Sequence, residues 1–476
     1  MSFAEPGAEA RRASDRLDAI WLVLLLVNAY LELPIALSGE AYVPAVGILA
    51  TVAAYLATSR HRPQWRDVDL CLLLVSFCLL SSFAAPNWAD LGSRLWGTVQ
   101  IAASAVCFIS TVTLIRALDR RTVLWIFGGL TVALMLLTAL EVIGVTRALS
   151  DAFREGAYEA GGYRAYTADE RDLSLVGFIR PKVFSSEPSL VGIGFMIFAL
   201  GFGFARADWK GLALVFVAAV IEFALLGSPI ALIAPMSVGL AVVLARASRL
   251  SPQALRRAKA TALVLAALLG VGALGAVALV DADRFRDLEL NMGVDGAKLE
   301  TATSEQLRLV LPYLAAVDAM RVNPLTGLGT SSKRSLSLYS STSSDYKVAM
   351  GNNAFASCFV FWGLAGAALF FAIVYRYLRQ IGAWGLPLAV AVGSLMQTMG
   401  ALESPRLWVY FGAIAATAAL LPRSAPVTLG STHPSPSSRS SDPPATYPPP
   451  ARSPEAPHGL RWSEVKRQPT LRKPVQ

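Results

Sequence analysis

The spacing of the apolar residues constrains this chain more than any other feature. They fall in blocks of roughly 18 to 24 residues, the length that crosses a hydrocarbon core of about 30 Å at about 1.5 Å per residue. About twelve such blocks are present, near residues 19–37, 41–58, 68–85, 96–115, 123–146, 189–205, 211–227, 229–245, 261–280, 353–375, 382–400 and 405–421. In lipid each block must satisfy its own backbone hydrogen bonds, and runs this long with so little period-2 alternation exclude a barrel. A composition of 54% apolar and 16% charged residues agrees. The expected fold is all-α: a polytopic transmembrane helical bundle of about 12 spans over residues 19–421, after a short N-terminus, 1–18.

Orientation follows from the basic residues in the short loops. Arg11, Arg12 and Arg16 precede the first block, and clusters recur at Arg60/Arg62/Arg66, Arg116/Arg120/Arg121, Arg206/Lys210, Arg246/Arg249/Arg256/Arg257/Lys259 and Arg376/Arg379. Each cluster occupies an alternate connection, and the connections between them hold almost no basic residues, Arg94 being the exception. Both termini are therefore expected in the cytoplasm. Two long polar loops, 147–188 and 282–351, are expected on the outer face. The net charge of +9 is largely this inside-positive signal, with the remainder in the tail, so it calls for no nucleic-acid partner.

The N-terminus loosely fits a signal-peptide plan, ending in Ala36-Leu37-Ser38, but the apolar run is long and many others follow, so it is read as an uncleaved first span. Cys71, Cys78, Cys107 and Cys358 lie inside apolar runs without metal or redox spacing and are read as packing residues. From Pro422 the composition turns to Pro, Ser and Arg. Such a segment buries too little apolar surface to fold alone, and 422–476 is expected to be a disordered cytoplasmic tail.

Charges inside spans are costly and mark function. Glu32, Glu141, Glu222 and Glu403 each fall near the outer end of an expected span, and no acidic series crosses the midplane as an ion-coupled transporter would need. In the first long loop, Arg180-Pro-Lys-Val-Phe-Ser-Ser-Glu-Pro-Ser189 runs directly into a span. Pro188 disfavours helical geometry at Glu187 and suits the first turn that follows, so Glu187 should sit at a helix mouth, with Arg180 and Lys182 close by in sequence. Tyr158, Tyr163 and Tyr166 offer flat faces with polar tips suited to sugar stacking.

In the second loop, Thr303-Ser-Glu-Gln306 has the form of a capping box, opening a helix to about Arg321 that bends near Pro312. Asn323-Pro-Leu-Thr-Gly-Leu-Gly329 closes it with residues that permit tight turns. No Lys-Ser/Thr pair follows those glycines, so this is not a phosphate-binding loop of the Walker kind. Arg308 and Arg321 are the better candidates for holding a phosphate, because a guanidinium is a planar fork of donors.

The ordered set resembles the O-antigen ligase and polymerase superfamily of bacterial envelope glycan enzymes over about residues 120–400. The pieces are Arg180…Phe184-Ser-Ser-Glu187-Pro-Ser189, several spans, Arg308, Asn323-Pro-Leu-Thr-Gly-Leu-Gly329, and Asn353 opening a span that continues to Trp362-Gly-Leu-Ala-Gly366. The resemblance implies a GT-C-like glycosyltransferase of the bacterial inner membrane. It would act at the periplasmic face on glycan carried by undecaprenyl diphosphate, with no cofactor, no metal and no nucleotide sugar in that reaction. Ligases of this group carry His-Asn where this chain has Asn352-Asn353, and the chain's histidines, His61, His433 and His458, are all expected on the cytoplasmic side. That difference favours a polymerase over a ligase.

The implied roles are a diphosphate grip by Arg180, Arg308 and Arg321, acceptor activation by Glu187, and sugar or phosphate contacts from Asn353 and Tyr163. Implied partners are the lipid bilayer, the lipid-linked glycan, and a chain-length regulator and flippase of the same pathway. Two alternatives stay open: a ligase moving finished glycan to lipid A core or protein, and a flippase or exporter of the lipid-linked oligosaccharide.

Overall fold

The computed structural model describes residues 6–250, 311–330 and 353–421, apart from residues 34, 39–40, 44, 60, 62, 87, 160–171, 174–176 and 383–384. Arg308, Tyr163, Tyr166, Asn352, the capping-box residues 303–306, the block expected at 261–280 and the tail 422–476 lie outside the described residues. The chain divides into two units, Met1–Ser424 and Ala425–Gln476, and the described residues all belong to the first.

In chain order the helices begin with α1 (Pro6–Leu31), α2 (Val46–Thr58), α3 (Trp65–Ala84), α4 (Leu91–Ala117), α5 (Arg120–Val142) and α6 (Arg147–Arg154). They continue with α7 (Pro188–Arg206), α8 (Trp209–Leu226), α9 (Ile233–Leu250), α10 (Leu311–Val322), α11 (Ala354–Ile381), α12 (Leu386–Thr398) and α13 (Pro405–Ala419). Between α1 and α2, β1 (Ile35–Ser38) and β2 (Ala41–Val43) form a small antiparallel hairpin that pairs Ile35 with Val43, a departure from the purely helical expectation.

Six helices among the described residues are long and apolar enough to cross a membrane: α3, α4 with its preceding 3-10 turn, α5, α7, α8 and α11. The chain is a polytopic helical membrane protein, but the expectation of about twelve full spans is corrected to six described ones. The reasons are local. The apolar part of α1 ends at Leu31, after which Glu32 adopts a left-handed φ of 44° and the hairpin begins. Helices α2 and α12 have 13 residues each and α13 has 15, against about 20 for a span. The connection expected between the blocks at 382–400 and 405–421 is present as coil at Met399–Ser404, between α12 and α13.

The helix ends follow their side chains. Asp119 caps α5 by accepting from the amides of Arg121 (3.2 Å) and Thr122 (3.3 Å), and a hydrogen bond from the Thr122 side chain holds its carboxyl below the ordinary range. Asp67 closes a capping box at the start of α3 and accepts from the Tyr377 hydroxyl at 2.8 Å, tying α3 to α11.

Helix α7 is the centre of the bundle. Of its apolar stretch 83% is buried, against 28% in each of α5 and α8, so α7 is enclosed by protein while the other two turn a broad apolar face outward. It packs against α5, α8, α9 and α13, and α13 in turn lies along α4. Phe108 of α4 meets Phe411 of α13 at 5.0 Å and Trp408 at 5.9 Å. All four cysteines are free, and Cys78, Cys107 and Cys358 are buried in the packing.

Candidate functional site

The segment leading into α7 is held by a buried polar clamp. Val183 and Phe184 take left-handed φ values of 42° and 63°, a conformation that side chains with a Cβ adopt only when their surroundings enforce it. Glu141, at the end of α5, accepts from the amides of Lys182 (2.7 Å) and Val183 (2.8 Å), and Ser150 accepts from that of Phe184 (3.0 Å). Arg154 of α6 donates to the carbonyl of Ser185 at 3.0 Å and pairs with Asp151. The Tyr30 hydroxyl donates to the Val183 carbonyl at 2.8 Å, and that of Tyr158 donates to the carbonyls of Leu31 and Phe184. Tyr158 is therefore a buried fastener and not a face for sugar stacking.

The clamp delivers Glu187 as expected. It is the N-cap of α7 with extended backbone (φ −144°, ψ 147°), Pro188 starts the helix, and the half-buried carboxylate accepts from the Ser189 hydroxyl at 3.0 Å. Arg180 grips Asp172 through Nε and Nη2, each at 2.7 Å.

The second motif string solves a backbone problem. Helix α11 breaks at Gly363 (φ 61°, ψ −165°), which frees carbonyls and amides inside an apolar helix. Asn323–Gly329 docks there: the amides of Leu328 and Gly329 donate to the carbonyls of Val360 (2.9 Å) and Phe361 (2.8 Å), and the amide of Leu364 donates to the Pro324 carbonyl (2.8 Å). Irregular backbone is tolerated at such a place only when protein surrounds it. A Cβ on Gly327 would lie 2.6 Å from the backbone at Gly363, and one on Gly363 would lie 2.6 Å from that at Leu325, so both glycines are required by the close approach. The two ordered pieces, Asn323–Gly329 and Trp362–Gly366, are thus one structural unit. Arg94 joins it to α3: the guanidinium donates to the carbonyls of Ser82, Ala85 and Pro86, and its stem lies against Gly329.

Asn353 fastens helices together. It caps α11 by accepting from the Ala356 amide (2.9 Å) and donates to Gln397 of α12 (2.9 Å), which donates to the Tyr313 hydroxyl of α10. Arg321 is solvated, its side chain 76% exposed, and pairs with Asp318 one turn earlier. The bend expected near Pro312 falls at the edge of residues 303–310, which lie outside the described residues.

A further ionic cluster stands beside the clamp. Arg406, in the first turn of α13, pairs with Glu32, and Glu32 also accepts from the Ser404 hydroxyl at 2.6 Å. Tyr30 and Leu31, which contact the clamp, immediately precede Glu32. Among the described residues, Nε and Nη1 of Arg406 and both carboxylate oxygens of Glu403 are buried with no hydrogen-bond partner. A buried polar atom left unpaired costs about 1–3 kcal/mol, so these atoms are candidates for contact with water or a ligand. Arg406 offers a planar cation whose donors suit an anion such as a phosphate, and Glu403 is a buried carboxylate able to orient or deprotonate a hydroxyl.

Of the site residues expected from sequence, the structure places Glu187 and Arg180 on the segment that enters α7, Asn353 at a buried helix junction and Arg321 in solvent. Arg308 and Tyr163 are outside the described residues. Reading the sequence missed Arg406 and did not single out Glu403 from the other glutamates. The signal was present: an arginine just after a proline inside an apolar run, and an intramembrane ionisable residue suggests function by default. No protein-family model matches the chain, and no curated protein matches it.

Proposed function

We propose that this protein is a membrane glycosyltransferase that polymerises undecaprenyl-diphosphate-linked repeat units into O-antigen, capsular or exopolysaccharide at the periplasmic face of the bacterial inner membrane. The observation that carries this reading is Arg406, buried against Glu32 beside the clamp that presents Glu187, with Nε and Nη1 lacking hydrogen-bond partners among the described residues. Pre-placed cations stabilise a departing diphosphate most effectively in a water-poor site, where they need no reorganisation. Arg406 holds that diphosphate, together with Arg308 from the outer loop. Glu403 takes the proton of the acceptor hydroxyl as the sugar's anomeric carbon leaves the diphosphate oxygen and bonds to the acceptor oxygen, and Glu187 orients the acceptor. What narrows an anion site to a glycan carrier is the resemblance in motif order, supported by the docking of two of its pieces on each other.

The test is the envelope polysaccharide profile of a deletion strain complemented with native or Arg406→Gln protein, both inserted at equal level. A polymerase predicts loss of long chains with single capped repeats retained. Loss of all capping assigns the protein to ligation instead, and full-length polymer from Arg406→Gln removes Arg406 from the site.

A further inference from the structure

At the end of the bundle away from the clamp, an apolar groove of about 950 Å³ opens between α5, α7 and α8. Its walls are side chains such as Val132, Met135 and Ile221, and among the described residues its charged lining consists of Arg120, Arg121, Arg206 and Asp208, all from the Arg120 end of α5 and the α7–α8 connection. We infer that this groove is a binding site for an anionic glycerophospholipid of the cytoplasmic leaflet, with its phosphate on Arg121 and Arg206 and an acyl chain laid along α5 and α8.

Three observations argue for this occupant. The first is charge: three arginines face one aspartate, and Arg206 shares its guanidinium with that aspartate at 3.0 Å. Arg120 already donates to the carbonyls of Ala205 and Arg206, which leaves exposed Arg121 and the remaining Arg206 donors for an anion. The second is depth. From Arg120 to Met135 the wall of α5 runs about 22 Å at about 1.5 Å per residue, enough for an acyl chain in one leaflet of a core of about 30 Å. The third is level. Trp125 lines the groove one turn above Arg121 and is 72% exposed, and Trp209 lies beneath Arg246 at 5.7 Å, the pattern of tryptophans and arginines at a headgroup boundary. Basic pockets between transmembrane helices on the cytoplasmic side bind anionic headgroups through these same forces. The floor is open at Gly129, where an added Cβ would meet nothing within 4 Å.

Native mass spectrometry of the delipidated full chain in detergent, titrated with dioleoyl-phosphatidylglycerol or dioleoyl-phosphatidylcholine, tests the site. The native protein should prefer the anionic lipid by about tenfold or more. Arg121→Gln combined with Arg206→Gln should bring the two lipids to near equality, while Gly129→Trp, which fills the groove without touching the arginines, should weaken both. Equal binding of the two lipids by the native chain, a preference that survives the double substitution, or Gly129→Trp without effect would each overturn the inference. So would the absence of binding by either lipid, which would assign the groove to another segment of the chain. Circular dichroism of each variant separates lost binding from lost fold.

Discussion

Two buried ionic clusters meet around Tyr30–Glu32, and they differ in how fully their atoms are used. Around Glu141 and Arg154 the charges serve the backbone: both Glu141 oxygens accept from amides, and Arg154 donates to the Ser185 carbonyl while paired with Asp151. Around Glu32 and Arg406 the capacity is incompletely filled, with Nε and Nη1 of Arg406 lacking partners among the described residues, and both oxygens of buried Glu403, three residues earlier in the chain, lack them too. The filled cluster bends Lys182–Ser186 into the mouth of α7 and so belongs to the fold. The incompletely bonded one is the cluster that we propose holds a ligand.

Substitutions can break this contrast. The largest effect on stability is expected from Glu141→Ala, which strands two buried amides that hold left-handed residues. It should cost about 2–6 kcal/mol for two stranded donors and appear as a marked fall in the unfolding temperature of the detergent-purified protein. Gly363→Ala comes next, because it adds a Cβ to a φ of 61° and drives it within 2.6 Å of the docked Leu325 backbone; about 2–3 kcal/mol is expected, read by the same melt. Arg321→Ala should be the mildest, changing stability by less than about 0.5 kcal/mol, since its pair with Asp318 is solvated. A large loss there would show that the exposed arginine does structural work the geometry does not reveal.

Much of this was legible in the sequence, for physical reasons that also explain what was not. The helical membrane class follows from apolar blocks, and Pro188 after Glu187 was enough to place that glutamate as an extended N-cap, because proline acts locally. Span number was overestimated because hydropathy does not show where backbone breaks. The hairpin after Leu31 lies in apolar surroundings, and helices α2, α12 and α13 stop short of span length although their blocks are apolar. Asn353 read as a polar residue opening a span, and only the packing of α10 and α12 shows that its amide is consumed by Ala356 and Gln397. The glycines at 327 and 329 suggested a turn, but their partner, the break at Gly363, lies across 34 or more residues of chain. Arg406 and Glu403 gave a sequence signal, an arginine and a glutamate inside an apolar region, whereas their unfilled atoms could be recognised only in three dimensions.

The most direct measurement is on Glu403→Gln, assayed in one preparation for unfolding temperature and in complemented cells for polymer. A buried neutral amide is less costly than a buried carboxylate without partners, so the account predicts an unfolding temperature equal to or above that of the native protein together with loss of long-chain polysaccharide. Polymer of native length and amount, or an unfolding temperature that falls as far as that of Glu141→Ala, would contradict it.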